Sequence, residues 1–180
     1  MGDSRVRFVA EVSSNHNQDL SRCLQFIDVA AGIGCDAVKF QLFRIDQMFA
    51  PEILATSALH RARKAWELPV VFLPAIAERC QARGLLFACT PFYLEAVTEL
   101  LPFVNIFKIA SYELPWDALL IACAETRKPV ILSTGMATFP EVQHAMATLL
   151  KAGCKLLTVL HCSSAYPTPV DEANLAALAT

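Results

Sequence analysis

Six short apolar segments constrain the fold of this 180-residue chain more than any other feature. Each has the length and composition of a parallel strand that is buried on both faces. Helical patterns lie between them, and strands that alternate with helices predict a parallel sheet covered by helices. The segments begin near Phe8, Asp36, Leu85, Ile106, Pro129 and Leu156.

Apolar residues spaced three or four apart predict four helices. Glycines follow the first three patterns, as expected where a helix ends. The patterns are Leu20 to Ala31, Phe72 to Cys80, Val142 to Leu150, and a last helix near Asp171 that carries Leu175 and Leu178.

Polar residues gather where each predicted strand ends, and chemistry at that rim is typical of a (β/α)8 barrel. No Gly-x-Gly-x-x-Gly follows the first strand, which argues against a dinucleotide-binding fold. The predicted fold class is therefore α/β, a (β/α)8 TIM-type barrel truncated to about six strand–helix units. Residues 1–180 are expected to form a single incomplete barrel domain.

Composition excludes several function classes. The net charge of -2 gives no electrostatic case for a nucleic acid or an anionic membrane as partner. The seven cysteines include no Cys-x-x-Cys pair, which predicts reduced thiols in the cytoplasm. No spacing of His, Cys, Asp and Glu predicts a metal site by itself.

Two lysines, Lys39 and Lys108, stand inside apolar strands. A buried ammonium group needs an anionic partner. Three interpretations follow: a Schiff-base nucleophile with an accessory lysine, a two-lysine clamp on carboxylate and phosphate, or structural lysines that pair only with Glu11 and Glu113. The hydroxyl groups expected at the same rim favour the clamp, since hydroxyls and lysines together suit phosphate oxygens.

Other polar residues allow two interpretations each. Glu11 is either an acid/base group or a counter-ion for a lysine. The loop Ser13–Asn17 is a structural turn or contacts a ligand. His161 is expected on the inward face of the sixth strand together with Val159, more often as a hydrogen-bonded core residue than as a ligand. The insertion Arg44 to Leu68, with its basic run His60 to Lys64, is a solvated turn or a lid over an acidic substrate.

Taken in series, the motifs resemble the sialic acid synthase (N-acetylneuraminate synthase) family. They occur in the family's order over nearly the whole chain. One motif alone is weak evidence for the family, whereas six motifs in the same order are specific. The motifs are Ala10-Glu11-Val12 with Ser14-Asn15-His16-Asn17; Ala37 to Gln41; Cys89-Thr90-Pro91-Phe92; Phe107 to Ser111 with Glu113; Pro129 to Met136; and Leu160 to Ser163 with Tyr166-Pro167-Thr168-Pro169.

The resemblance implies a division of labour among the site residues. Glu113 matches a carboxyl group near the sugar aldehyde, Glu11 a carboxylate near a metal-bound water, and Tyr166 a residue beside the substrates. Ser164 stands where some members have Asn. The residues implied to contact phosphoenolpyruvate or its partner substrate are Lys39, Gln41, Thr90, Lys108, Ser111 and Ser133.

The reaction implied by the resemblance joins phosphoenolpyruvate to an N-acetylated amino sugar. C3 of phosphoenolpyruvate attacks the open-chain aldehyde, water adds at C2, and phosphate leaves with cleavage of its C–O bond. The family uses a divalent metal, typically manganese, whose histidine ligands lie on later strands than those present here, and a C-terminal antifreeze-like domain that completes the sugar site across a homodimer. The sugar is N-acetylmannosamine or a precursor of legionaminic or pseudaminic acid.

Residues 1–180 are accordingly expected to hold most of a phosphoenolpyruvate site, to turn over little or not at all alone, and to expose the sixth strand as an apolar edge. Two other functions stay open at this point. One is a Schiff-base aldolase that uses Lys108 or Lys39. The other is a non-catalytic module that binds an anionic metabolite.

Overall fold

Six strands alternate with helices along residues 5–179, the part of the chain that this computed structural model describes. The chain divides into two compact units, Met1–Asn105 and Ile106–Thr180, and each unit contains three strands. All six strands begin within two residues of the predicted positions. They are β1 Val9–Ser13, β2 Ala37–Leu42, β3 Leu86–Pro91, β4 Ile106–Ile109, β5 Val130–Ser133 and β6 Leu157–Leu160.

Eight α-helices lie among the described residues, with 3-10 turns between some of them. The predicted helices are confirmed at α1, α5 and α8. None of the helices in residues 5–179 has both the length and the apolarity needed to span a membrane. The helices are α1 Leu20–Gly32, α2 Ile45–Met48, α3 Pro51–Thr56, α4 Ala58–Ala62, α5 Leu73–Ala82, α6 Leu94–Leu100, α7 Asp117–Glu125 and α8 Phe139–Lys151.

In the first unit, β2 pairs in parallel with β1 and with β3. The rings of Phe40 and Phe87 meet edge to face with centroids 5.9 Å apart and form the centre of the core. Helix α1 packs against α5, and Ile27 and Ile76 of these helices are fully buried. The apolar strands are therefore covered by helices, as their composition predicts.

In the second unit, β5 pairs in parallel with β4 and with β6. Helix α7 packs against α8, and the N-terminus of α8 is capped by Glu141, whose Oε2 accepts from the backbone N of Thr138 at 2.7 Å. Strand β6 is the last strand of the sheet among the described residues. Its Val159 and Leu160 are 36% and 37% exposed, which confirms the predicted apolar edge for this part of the chain.

The predicted C-terminal helix is wrong. The structure has two separate 3-10 turns there, Val170–Glu172 and Leu175–Ala179. Asn174 lies between them with φ 42°, a left-handed conformation that interrupts a right-handed helix. Leu175 and Leu178, whose spacing predicts the helix, thus lie in a 3-10 turn.

The insertion after β2 is ordered by its own cations and aromatic rings. The Arg63 guanidinium lies 5.6 Å from the ring centroid of Phe49 and 5.5 Å from that of Trp66. Arg61 Nη1 donates to the carbonyl oxygens of Leu54 and Ala55, at 2.5 and 3.1 Å, and so stabilises the end of α3. Arg61 is exposed, as the interpretation of a solvated basic turn expects, whereas Arg63 is half-buried against aromatic rings; the lid stays a prediction.

Candidate functional site

The sheet register of the first unit places four predicted site residues on one face. Glu11 is paired with Lys39, and Gln41, two residues further along β2, is paired with Thr90. Side chains two residues apart on a strand share a face, and so do register partners on neighbouring parallel strands. Glu11, Lys39, Gln41 and Thr90 therefore share one face of these strands.

Lys39 forms a salt bridge with Glu11: its Nζ contacts Glu11 Oε2, and the two side chains are 14% and 43% exposed. The structure therefore shows Glu11 as the counter-ion of Lys39, one of its two predicted roles, and the acid/base role stays a prediction. Thr90 is buried at 1% exposure, and the Ser13 hydroxyl donates to Gln41 Oε1 at 3.2 Å.

The loop after β1 is held by a buried histidine that sequence reasoning treated only as part of a polar turn. His16 is fully buried, and its Nδ1 accepts from the backbone N of Gln18 at 3.0 Å. Its Nε2 has no hydrogen-bond partner among the described residues, and burial lowers the pKa of His16. The imidazole is therefore neutral and structural, and a single sequence carries no signal for this burial.

The register of the second unit assigns its polar residues to opposite faces. Ile109 is paired with Leu132, Leu132 with Val159, and Ser133 with Leu160. Lys108, Ser133 and Cys162 therefore share one face, whereas Val159 and His161 share the other.

The predicted inward orientation of His161 is consequently wrong. His161 lines an apolar cavity of about 680 Å³ together with Val159 and with Val142 and Met146 of α8. Its Nε2 lies 2.9 Å from the carbonyl oxygen of Ala173. It belongs to the helix side of the sheet, away from Lys108.

Lys108 is buried at 8% exposure, and its ammonium group is a hydrogen-bond donor to two neutral oxygens. Its Nζ donates to Ser133 Oγ at 2.5 Å and to the carbonyl oxygen of Ile109 at 2.9 Å. The Cys162 thiol also donates to Ser133 Oγ, at 3.3 Å. A serine hydroxyl has two acceptor positions and one proton, so Ser133 uses both acceptor positions inside the protein.

The hydroxyl protons of two serines have no acceptor among the described residues. Ser133 accepts from Lys108 and Cys162, and Ser111 Oγ accepts from the backbone N of Gly135 at 3.0 Å. Each hydroxyl is held as an acceptor, which leaves its own O–H to donate to a ligand. A lysine ammonium with hydroxyl donors beside it is a set suited to carboxylate or phosphate oxygens.

Glu113 is half-buried beyond the end of β4, and its Oε2 has no hydrogen-bond partner within residues 5–179. Burial raises the pKa of Glu113 above the usual value for a glutamate, and the positive charge of Lys108 acts in the opposite direction. The raised pKa favours the protonated form, which can donate a proton.

The structure does not bring Tyr166 into this set, because its side chain is 99% exposed. Ser164 is exposed too but lies against Gly135. The contacts thus join Glu11 with Lys39 in the first unit, and Lys108 with Ser133 and Ser111 with Gly135 in the second. The two-lysine clamp stays a prediction.

The divalent metal that the resemblance implies is expected to have its histidine ligands on later strands than those present here. Within residues 5–179, no group of three or more His, Cys, Asp or Glu side chains is arranged to hold a metal ion. No step below is therefore assigned to a metal.

Comparison with known proteins gives consistent matches. The chain is 36% identical over 187 residues to N,N'-diacetyllegionaminic acid synthase of Campylobacter jejuni, covering 97% of this chain and 56% of that protein. It is 32% identical over 184 residues to pseudaminic acid synthase of Campylobacter jejuni, strain 81-176, covering 96% of this chain and 54% of that protein. The chain spans about half the length of the curated relatives it matches.

A solved structure supports the fold. The N-acetylneuraminic acid synthetase of Leptospira borgpetersenii, determined in complex with citrate, matches with a TM-score of 0.90 and 33% identity. The match covers 99% of this chain and 61% of that one. The six strands and their helices agree with this (β/α)8-barrel neighbour, which confirms the predicted fold class. The family model described as the NeuB family matches residues 26–180, so the chain belongs to the NeuB family, whose members include the sialic, legionaminic and pseudaminic acid synthases.

Proposed function

We propose that this chain supplies the phosphoenolpyruvate site of a synthase that condenses phosphoenolpyruvate with an N-acetylated amino sugar aldehyde. The product of such a reaction is a nine-carbon keto-sugar acid of the sialic acid type. The relatives named above are synthases of such acids, which supports the reaction class. The sugar itself, N-acetylmannosamine or a legionaminic or pseudaminic precursor, is open.

The observation that carries the proposal is the contact between Lys108 and Ser133. A buried ammonium donates to a hydroxyl oxygen that also accepts from the Cys162 thiol. Ser111, held by the amide of Gly135, adds a second such hydroxyl. The carboxylate and phosphate of phosphoenolpyruvate offer the anionic oxygens that this donor set can bind. Lys39, Gln41 and Thr90 are proposed to contact the same substrates, and Tyr166 to lie beside them.

Glu113 is proposed as the proton donor to the aldehyde. As C3 of phosphoenolpyruvate forms its bond to the aldehyde carbon, the carbonyl oxygen gains electron density and takes a proton to become a hydroxyl. A carboxyl group whose pKa is raised by burial keeps that proton to a higher pH than an exposed glutamate does.

The remaining atoms balance through water. Its oxygen forms a bond to C2, the bond between C2 and the bridging oxygen breaks, and inorganic phosphate leaves. The hydroxyl that water leaves on C2 gives its proton to the departing phosphate and becomes the C2 keto group of the open-chain acid, while the other proton of the water replaces the one that Glu113 gave to the aldehyde oxygen. Glu11 is proposed to act near this water, although its observed partner is Lys39.

Isothermal titration calorimetry of phosphoenolpyruvate into the chain tests the proposal. We expect saturable one-site binding, and we expect that excess inorganic phosphate or pyruvate weakens it by competition. Heat no larger than dilution at millimolar phosphoenolpyruvate would contradict the proposed site. Manganese is added in a parallel titration, since the resemblance implies a divalent metal.

The same protein is used to test the Schiff-base aldolase. Borohydride trapping with pyruvate would covalently modify Lys108 or Lys39 in a Schiff-base aldolase. We expect no adduct by mass spectrometry, because Lys108 Nζ is engaged as a donor to two oxygens. The expectation that residues 1–180 turn over little is tested by a coupled phosphate-release assay with N-acetylmannosamine and manganese. Binding without turnover would fit both this expectation and the metabolite-binding module.

A further inference from the structure

Gly135 is a glycine because of crowding around its Cα and not because of its backbone conformation. Gly34, Gly84 and Gly153 have φ angles of +83°, +70° and +101°, and a Cβ on any of them would meet nothing within 4 Å. Those three serve turns that favour glycine. Gly135 lies outside the left-handed region, yet a Cβ there would lie 2.3 Å from Ser164 Oγ and 3.0 Å from Ser111 Oγ.

The two crowding atoms come from different segments of the second unit. Ser111 follows β4, and Ser164 belongs to the loop after β6. Both hydroxyl oxygens lie close to one point, the place where a Cβ of residue 135 would stand. One ligand can therefore contact both hydroxyls, and the bare Cα of Gly135 is what lets them approach.

We propose that Gly135 is a positioning residue that sets the hydroxyls of Ser111 and Ser164 side by side against an anionic oxygen group of the ligand. The inference rests on the proposed function and deepens it. The backbone N of Gly135 donates a hydrogen bond of 3.0 Å to Ser111 Oγ. The absence of a side chain at Gly135 leaves the space that Ser164 Oγ occupies. The side chains at positions 135 and 164 thus together determine how much space the ligand has beside the Ser111 hydroxyl.

A methyl group at residue 135 has a specific expected effect. Ser164 Oγ ends a short side chain that rotates about one bond, so the fold can accept the methyl group if this hydroxyl moves away. Ser111 Oγ, at 3.0 Å, must shift by a few tenths of an ångström. The substitution therefore displaces two ligand donors at little cost in stability.

The test is a double-mutant cycle read by phosphoenolpyruvate affinity. We expect Gly135→Ala to weaken binding about tenfold, the equivalent of one good hydrogen bond to a charged group. In the Ser164→Gly background, the same substitution is expected to cost less than about threefold, because the atom in closest conflict is gone. Gly32→Ala is the matched control, since a Cβ there meets nothing within 4 Å and the φ of Gly32 is ordinary.

Two results would overturn the inference. One is a Gly135→Ala chain that binds phosphoenolpyruvate as tightly as the wild type. The other is an equal loss in both backgrounds, which would show that residues 135 and 164 are not coupled.

If the wild type binds no phosphoenolpyruvate, the proposed function fails, and the positioning role is then decided by NMR. In that case Gly135→Ala must move the amide resonances of Ser111 and Ser164, whereas Gly32→Ala must not. Unmoved resonances would refute the positioning role on their own.

Discussion

Each unit places a lysine on a polar face of its strands, but the groups that contact the two lysines differ. Lys39 of the first unit is in a salt bridge with the carboxylate of Glu11. Lys108 of the second unit donates to the hydroxyl of Ser133 and to a backbone carbonyl. A hydroxyl still has a proton to give to a ligand, whereas a carboxylate repels an anion. The carboxyl group near Lys108, that of Glu113, has its pKa raised by burial and so carries less negative charge than an ordinary glutamate, and we expect the second unit to bind an anionic substrate better.

The largest expected effect comes from removing the Lys108 ammonium. We expect Lys108→Met to weaken phosphoenolpyruvate binding by about 100-fold, because a cation and its directed donors are lost from a buried site. Calorimetry measures the loss. Lys155→Met, at an exposed position of the same unit, is the matched control and should bind as the wild type does. Equal affinity of the Lys108 variant and the control would break the comparison between the two lysines.

The salt bridge of the first unit is expected to make a modest contribution to stability. Glu11→Gln should lower the free energy of unfolding by about 0.5–1 kcal/mol, a modest value because the Glu11 side chain is 43% exposed. Urea unfolding at low and high salt measures it, and high salt should shrink the difference. A loss of several kcal/mol, or none at low salt, would contradict this assignment.

The raised pKa of Glu113 predicts that the protein loses stability as the pH rises above the usual pKa of a glutamate. Its pKa is raised in the folded state, so the stability it supports is present below the pKa of the unfolded chain and is lost as pH rises through the folded pKa. Glu113→Gln should remove that part of the decline, while Glu125→Gln, at an exposed position, should leave the curve unchanged. Denaturant unfolding from about pH 4 upward gives both curves, and parallel curves for wild type and Glu113→Gln would contradict the prediction.

For His16 we expect a smaller change of stability with pH, in the opposite direction: stability falls as the pH falls. Its folded pKa is lowered by burial, so the stability it supports is present above the unfolded pKa and is lost as pH falls through the folded pKa. His16→Asn keeps an acceptor for the backbone N of Gln18 but does not titrate. We expect a less stable protein whose stability declines less between pH 7 and 5. His144→Asn, at an exposed position, is the control.

The strands could be predicted because their apolar runs and polar ends are local properties of the sequence. Helices α1, α5 and α8 carry clear three- and four-residue spacing. Helix α7 does not, since its residues 118–124 are apolar on all sides, and it was not anticipated. The C-terminal helix was predicted from Leu175 and Leu178, but the left-handed conformation of Asn174 is not visible in apolar spacing.

The sequence predicts which residue types form the site, but only part of their arrangement in space. Lys39 and Lys108 can be recognised as site residues from one sequence, because each lysine stands inside an apolar strand. The face of His161 depends on the register between β5 and β6, which the sequence of one strand does not determine. The contact of Gly135 with Ser111 and Ser164 depends on three segments that are distant in sequence, so no local pattern could reveal it.

A crystal structure of the chain at saturating phosphoenolpyruvate tests the central claim most directly. The account predicts that the anionic oxygens of the ligand lie within hydrogen-bond distance of Lys108 Nζ and of the hydroxyls of Ser133 and Ser111. Ligand density that contacts none of these three groups, or a site that stays empty at a concentration well above the calorimetric Kd, would contradict it.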